Sequence, residues 1–160
     1  MAAPLLIVWH SRTGASEQLA QAAKAGAADL ATLVPAAEAS PAHFMAAAGF
    51  LFVCPENLGS MSGLMKEMFD RCYYPLLGEL EGRAYATVTA AGSDGSNTVR
   101  QIDRIVTGWR LRRVAEPVIV NLHAQTASAI LAPKRVEGAM LDDVSRLGQA
   151  LGEGLASGIF

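Results

Sequence analysis

The residues best suited to chemistry in this chain form a cluster, His10-Ser11-Arg12-Thr13-Gly14-Ala15-Ser16, directly after the apolar run Leu5-Leu6-Ile7-Val8-Trp9. They read as a phosphate cradle. Five apolar residues in a row fit a strand buried on both faces, and the Ser/Thr/Gly group after them is turn chemistry that opens a helix. Free backbone N–H groups converge at a helix N-terminus, and its partial positive charge favours an anion. Hydroxyls of Ser11, Thr13 and Ser16 would add donors, Gly14 would let the backbone approach closely, and Arg12 could contact a phosphate or face solvent. The same residues also fit an ordinary strand-turn-helix junction with Ser16 as N-cap.

Two further polar loops follow apolar runs in the same way. Pro55-Glu56-Asn57-Leu58-Gly59-Ser60-Met61-Ser62-Gly63 comes after Phe50–Cys54, and Ala91-Gly92-Ser93-Asp94-Gly95-Ser96-Asn97 comes after Ala84–Ala90. Helices are expected from Ser16 to about Ala28, over His43–Ala48, after Gly63, around Val99–Trp109 and from Leu141 to about Leu155. A short strand within Leu30–Val34, ended by Pro35, and a last strand over Val114–Val120, interrupted by Pro117, suit sheet edges, because proline cannot donate to a ladder. Alternating strands and helices imply a parallel sheet covered on both faces. With the second and fifth strands outermost, the strand order is 2-1-3-4-5, and the three polar loops meet at the carboxyl ends beside the switch point.

At 160 residues the chain is the length of one domain, 1–160, large enough to bury a core without metals or disulfides. A charged fraction of 18% and a net charge of −2 give no reason to expect nucleic acid or an anionic membrane as partner. Cys54 and Cys72 have no metal-ligand spacing and read as core thiols, so no metal is expected. A cytoplasmic setting fits this cysteine usage and the absence of a signal-peptide pattern or membrane-span length.

These residues resemble a flavodoxin-like protein, and more narrowly the NAD(P)H-dependent FMN or quinone reductases of that fold. Ser11, Thr13, Gly14 and Ser16 match the family's phosphate loop S-x-T-G-x-[ST], whereas many members have Asn where this chain has Ala15. Pro55, Gly59, Met61, Ser62, Gly63, Lys66 and Asp70 match P-x-x-x-G-x-M-S-G-x-x-K-x-x-x-D, and Gly92, Ser93, Asp94 and Gly95 resemble the third flavin loop. The resemblance implies an α/β, three-layer, doubly wound fold with a five-stranded parallel sheet. It implies FMN held noncovalently, with its phosphate on Ser11–Ser16 and its ring edge against Pro55, Glu56, Asn57, Leu58, Gly59 and Gly92–Gly95. NADPH or NADH would pass hydride through FMN to a quinone, another flavin or a similar small acceptor. No protein group need be catalytic, and the family's habit of forming homodimers or homotetramers is expected here.

The competing reading is a flavodoxin proper, an electron carrier without its own NAD(P)H activity. Such carriers are usually strongly acidic and enclose the flavin between aromatic side chains of the second and third loops. Neither Pro55–Gly63 nor Ala91–Asn97 contains Trp, Tyr or Phe, and the net charge is small. An open flavin face favours the reductase. A flavodoxin-like domain that has lost FMN and serves only in binding is a third reading. His10 could touch the phosphate or be a satisfied strand-end histidine, Glu56 could bond the ring edge or face solvent, and the Arg110, Arg112 and Arg113 cluster could attract a nucleotide phosphate or rim an edge strand.

Overall fold

The computed structural model describes residues 3–160. Its elements are β1 (Leu5–Trp9), α1 (Ala15–Ala27), β2 (Ala31–Pro35), α2 (Pro41–Ala46), β3 (Gly49–Asn57), β4 (Ser60–Met61), α3 (Gly63–Tyr73), β5 (Ala84–Ala91), α4 (Ser96–Gly108), β6 (Arg112–Arg113), β7 (Val118–Asn121), α5 (Ala127–Leu131) and α6 (Gly138–Ala156). The sheet runs β2-β1-β3-β5, with β6 and β7 both on the outer edge of β5 and β4 folded back on β3. Every pairing is parallel except the β3–β4 hairpin.

Seven strand segments appear where five strands were expected, for two local reasons. Arg112 and Arg113 pair with Ala84 and Tyr85 at the start of β5, while Val118–Asn121 pair with Val88–Ala91 at its end. They are two halves of one fifth strand, broken over residues 114–117, where Pro117 has no N–H to offer the ladder. The seventh segment is β4, which closes a hairpin on the end of β3. The flavodoxin-like order 2-1-3-4-5 therefore holds.

Period-two alternation sends successive strand residues to opposite faces and builds two cores. Leu6, Val8, Phe50 and Phe52 pack with Phe44, Phe69 and Trp109 from α2, α3 and the end of α4. Leu5, Ile7, Leu51, Val53 and Val88 pack with Leu19, Ala20, Ala23, Val144 and Leu151 from α1 and α6. The first core is aromatic: Phe52 lies 5.2 Å from Phe69 and Phe44 lies 5.3 Å from Trp109, centroid to centroid. Truncating such a ring to alanine costs about 3–5 kcal/mol. The second core is thin because the buried face of α1 is mostly alanine, which lets α6 approach its backbone. A Cβ on Gly148 would sit 2.1 Å from the Ala23 carbonyl oxygen.

Trp9 is half-buried against the α1–α6 core, and Trp109 is fully buried with its indole N–H donating to the Tyr73 carbonyl at 3.0 Å. Cys54 and Cys72 are buried free thiols, and burial pushes Cys54 up to about 12. No helix among the described residues is long and apolar enough to cross a membrane.

Candidate functional site

Parallel register aligns the carboxyl ends of the central strands. Trp9 pairs with Val53, and Pro55 with Ala90, so the chain leaves β1, β3 and β5 at one end of the sheet. Direct hydrogen bonds tie the three exits together. His10 Nδ1 and Ser62 Oγ share one of 2.8 Å, joining the first loop to the second. The Asn97 amide donates to the Gly59 carbonyl at 2.5 Å, joining the second to the third. Burial, and then the nearby Arg12 charge, hold His10 below the usual histidine range, which favours the neutral ring in this junction.

The first loop ends in an unfilled helix start. Gly14, not Ser16, is the N-cap of α1, with φ 101°, a left-handed conformation that L side chains rarely adopt. No side chain caps the helix, and the N–H groups of Ala15, Ser16 and Glu17 have no acceptor among the described residues. Ser16 Oγ is buried without a partner as well. The Gly14 N–H donates to Ser11 Oγ at 3.1 Å, leaving the Ser11 hydroxyl proton free to turn outward. Arg12 is exposed and enters no ion pair among the described residues.

The second loop is a hairpin rather than an open loop. Glu56 pairs with Met61 and Asn57 with Ser60, leaving Leu58 and Gly59 at its tip with φ 55° and 70°. Two consecutive left-handed residues fit the twist of a two-residue hairpin turn. The hairpin is fastened to α4. Gln101 Oε1 accepts the Met61 N–H at 2.8 Å, and the Glu56 carboxylate accepts the Gly95 N–H at 2.9 Å and the Thr98 N–H at 3.0 Å. The half-buried Glu56 thus has a partner within the chain: its carboxylate caps α4. Pro55 and Asn57 are half-buried, and Leu58 is fully exposed at the tip.

In the third loop Gly95 is buried at the N-cap of α4, and its N–H belongs to Glu56. Ser93 and Asp94 are exposed, Gly92 half-buried. The Ser96 hydroxyl and N–H hold Asp94 below the usual carboxylate range. The Gly92 carbonyl accepts from Ala124 N and the Gln125 amide, both at 3.0 Å, so the chain beyond β7 is attached here. Arg112 and Arg113 pair with the opposite end of β5, and Arg113 bonds Asp103, so this basic cluster is remote from the three loops.

Residues that sequence reasoning missed lie beyond β7. Lys134 N donates to the Thr13 carbonyl at 2.7 Å, and the Gln18 amide bonds Lys134 and Val136. The segment from Leu122 to Val136 therefore crosses from β5 to the first loop. No local pattern signals such a path, since the bonds that bring it to the first loop join residues more than a hundred positions apart.

The arrangement can hold a phosphate: free helix N–H groups, a buried hydroxyl without a partner and a nearby unpaired arginine are the donor set that anion takes. FMN fits on that observation. Among the described residues no group of three or more His, Cys, Asp or Glu could hold a metal ion.

Residues 20–127 match the family model described as NADPH-dependent FMN reductase, a span that contains the second and third loops but not the first. No curated protein matches the chain in sequence. Among solved structures, a WrbA-like flavodoxin from Agrobacterium tumefaciens is 18% identical with a TM-score of 0.71, covering 96% of this chain and 97% of that one. A flavodoxin from the domain Archaea is 13% identical with a TM-score of 0.74, covering 95% and 98%. The flavodiiron protein from Giardia intestinalis is 13% identical with a TM-score of 0.76, covering 96% of this chain and 36% of that one.

Proposed function

The chain belongs to the NADPH-dependent FMN reductase family, and on that premise we propose that it is an FMN-binding oxidoreductase that moves electrons from NADPH or NADH to a quinone, a flavin or a similar small acceptor. The observation that carries this reading is the start of α1, where three backbone N–H groups and the buried Ser16 hydroxyl have no acceptor. The open N–H groups and partial positive charge of a helix N-terminus favour an anionic ligand, to which the Ser16 hydroxyl would add a bond.

Ser11, Thr13, Ser16 and the N–H groups of residues 15–17 would hold the FMN phosphate, with Arg12 lending charge from the solvent side. The hairpin at Asn57–Gly59 and the loop at Gly92–Asp94 would border the ring. FMN supplies the two-electron chemistry, and the protein's part is to bind and orient. Glu56 serves this indirectly, because its carboxylate fixes the hairpin on α4. With no aromatic side chain on either ring-facing loop, one face of the ring stays open for nicotinamide and acceptor in turn, which favours a reductase over an electron carrier. The protein acts as one domain in the cytoplasm.

The test is spectroscopic. The purified protein should take up FMN with a perturbed visible spectrum, and NADPH or NADH added without oxygen should bleach it. A protein that binds no FMN sinks the proposal, and FMN that neither nucleotide bleaches turns the assignment to the carrier.

A further inference from the structure

The Gln18 side chain has both amide hydrogens and its carbonyl oxygen engaged, and every partner lies at the first loop or on the segment crossing it. Its Nε2 donates to the Gly14 carbonyl and to the Lys134 carbonyl, both at 2.8 Å, while its Oε1 accepts the Val136 N–H at 3.0 Å. The Gly14 carbonyl also receives the Gln18 backbone N–H at 3.2 Å, and the Thr13 carbonyl receives the Lys134 N–H at 2.7 Å. Two consecutive peptide planes of the loop are therefore set from outside it.

In a trans peptide the C=O and the next N–H point in opposite directions. Drawing the Gly14 carbonyl to Gln18 therefore aims the Ala15 N–H away from the helix, where the anion would sit. We propose that Gln18 is a positioning residue that fixes the Gly14–Ala15 peptide for the ligand's phosphate and couples that peptide to the strap at residues 134–136. The inference rests on the FMN-phosphate reading above. Because binding and strap order are linked, the coupling is reciprocal: phosphate holds the strap, and the strap holds the phosphate site. The ring, which meets other loops, does not sense it.

The test compares FMN with riboflavin, which lacks the phosphate, on wild-type protein and Gln18→Met, a change that keeps side-chain length and removes the amide. Fluorescence quenching should show wild type preferring FMN. In Q18M the FMN affinity should fall about tenfold, in keeping with the loss of three hydrogen bonds only partly transmitted to the ligand, and riboflavin should change less than twofold. Trypsin should cut after Lys134 and Arg135 slowly in the FMN complex, faster with riboflavin, and fastest in Q18M whether or not FMN is present.

Wild type that binds both flavins equally overturns the phosphate reading and this inference together. Wild type that prefers FMN, with the same preference in Q18M, overturns the role of Gln18 alone. Equal loss of both flavins with a lowered melting temperature also overturns it, since that marks Gln18 as merely structural. If Q18M does not fold, the wild-type digest decides: protection at Lys134 and Arg135 by FMN but not riboflavin supports the coupling, and identical cleavage rules it out.

Discussion

Helices α1 and α4 both follow a buried strand, both run 13 residues and both begin at a left-handed glycine, Gly14 with φ 101° and Gly95 with φ 91°, yet only α4 receives a carboxylate from the chain itself. Glu56 accepts the N–H groups of Gly95 and Thr98, while the N–H groups in the first turn of α1 keep no acceptor; each helix start also holds one buried hydroxyl without a partner, Ser16 in α1 and Thr98 in α4. Electrostatics treats the two ends alike, since each gathers unsatisfied N–H groups and a partial positive charge. The difference lies in who supplies the anion. An internal carboxylate fastens the Glu56–Met61 hairpin to α4, whereas the first turn of α1 is left open to an external anion.

Giving α1 the internal anion that α4 has should produce the largest effect. Ser16→Asp places a carboxylate in the first turn, where it favours the helix and repels a phosphate. At roughly 4 Å and an effective dielectric near 20, one pair of like charges costs about 4 kcal/mol, so FMN affinity should fall about a thousandfold. Riboflavin should change little, and the melting temperature should fall by a few degrees, because Ser16 is buried and the larger, charged side chain is desolvated there. Titrating both flavins by fluorescence checks this, and equal weakening of the two would break the comparison.

The reverse exchange is smaller. Glu56→Ala removes the carboxylate that bonds Gly95 and Thr98, leaving Asp94 on Ser96, and should cost about 2 kcal/mol, or roughly 6 °C in melting temperature for a chain of this size. It should also make α4 respond to anions. Added sulfate should raise the melting temperature of the variant more than that of wild type, and an identical salt response in the two proteins would show that the α4 end never needed an anion.

This pairing marks where reading the sequence stops. The turn from β1 into α1 was legible because its signal is local, an apolar run followed within a few residues by Ser, Thr and Gly. Strand order was legible because Pro35 and Pro117 mark edges and the continuous runs mark the interior. The role of Glu56 was not, since its partners at Gly95 and Thr98 lie about forty residues on and only the β3–β5 pairing brings them near. Nor was the hairpin at Asn57–Ser60, whose Leu58 in the left-handed region hides the usual Asn-Gly turn signal. The five-residue helix α5 carries too short a pattern to register, and Gln18 meets Lys134 through a separation that no spacing rule reaches.

The smallest effect concerns the junction between the two kinds of loop. His10 leaves β1 at the phosphate side and bonds Ser62 at the start of α3, which follows the hairpin. Burial, followed by the charge of Arg12, lowers its pKa from 6.5, so the unfolded chain binds a proton more readily than the folded one. Stability from this group is complete above about pH 6.5 and declines as the pH drops through the lowered folded value. Thermal melts of wild type should thus show a shallow loss on acidification below pH 6.5 that His10→Asn does not share. A bound phosphate dianion near His10 would favour its charged form and flatten the slope, so FMN should shrink the difference between wild type and H10N while riboflavin leaves it unchanged. If both flavins flatten the slope equally, His10 responds to the hairpin side of the site and not to the open end of α1.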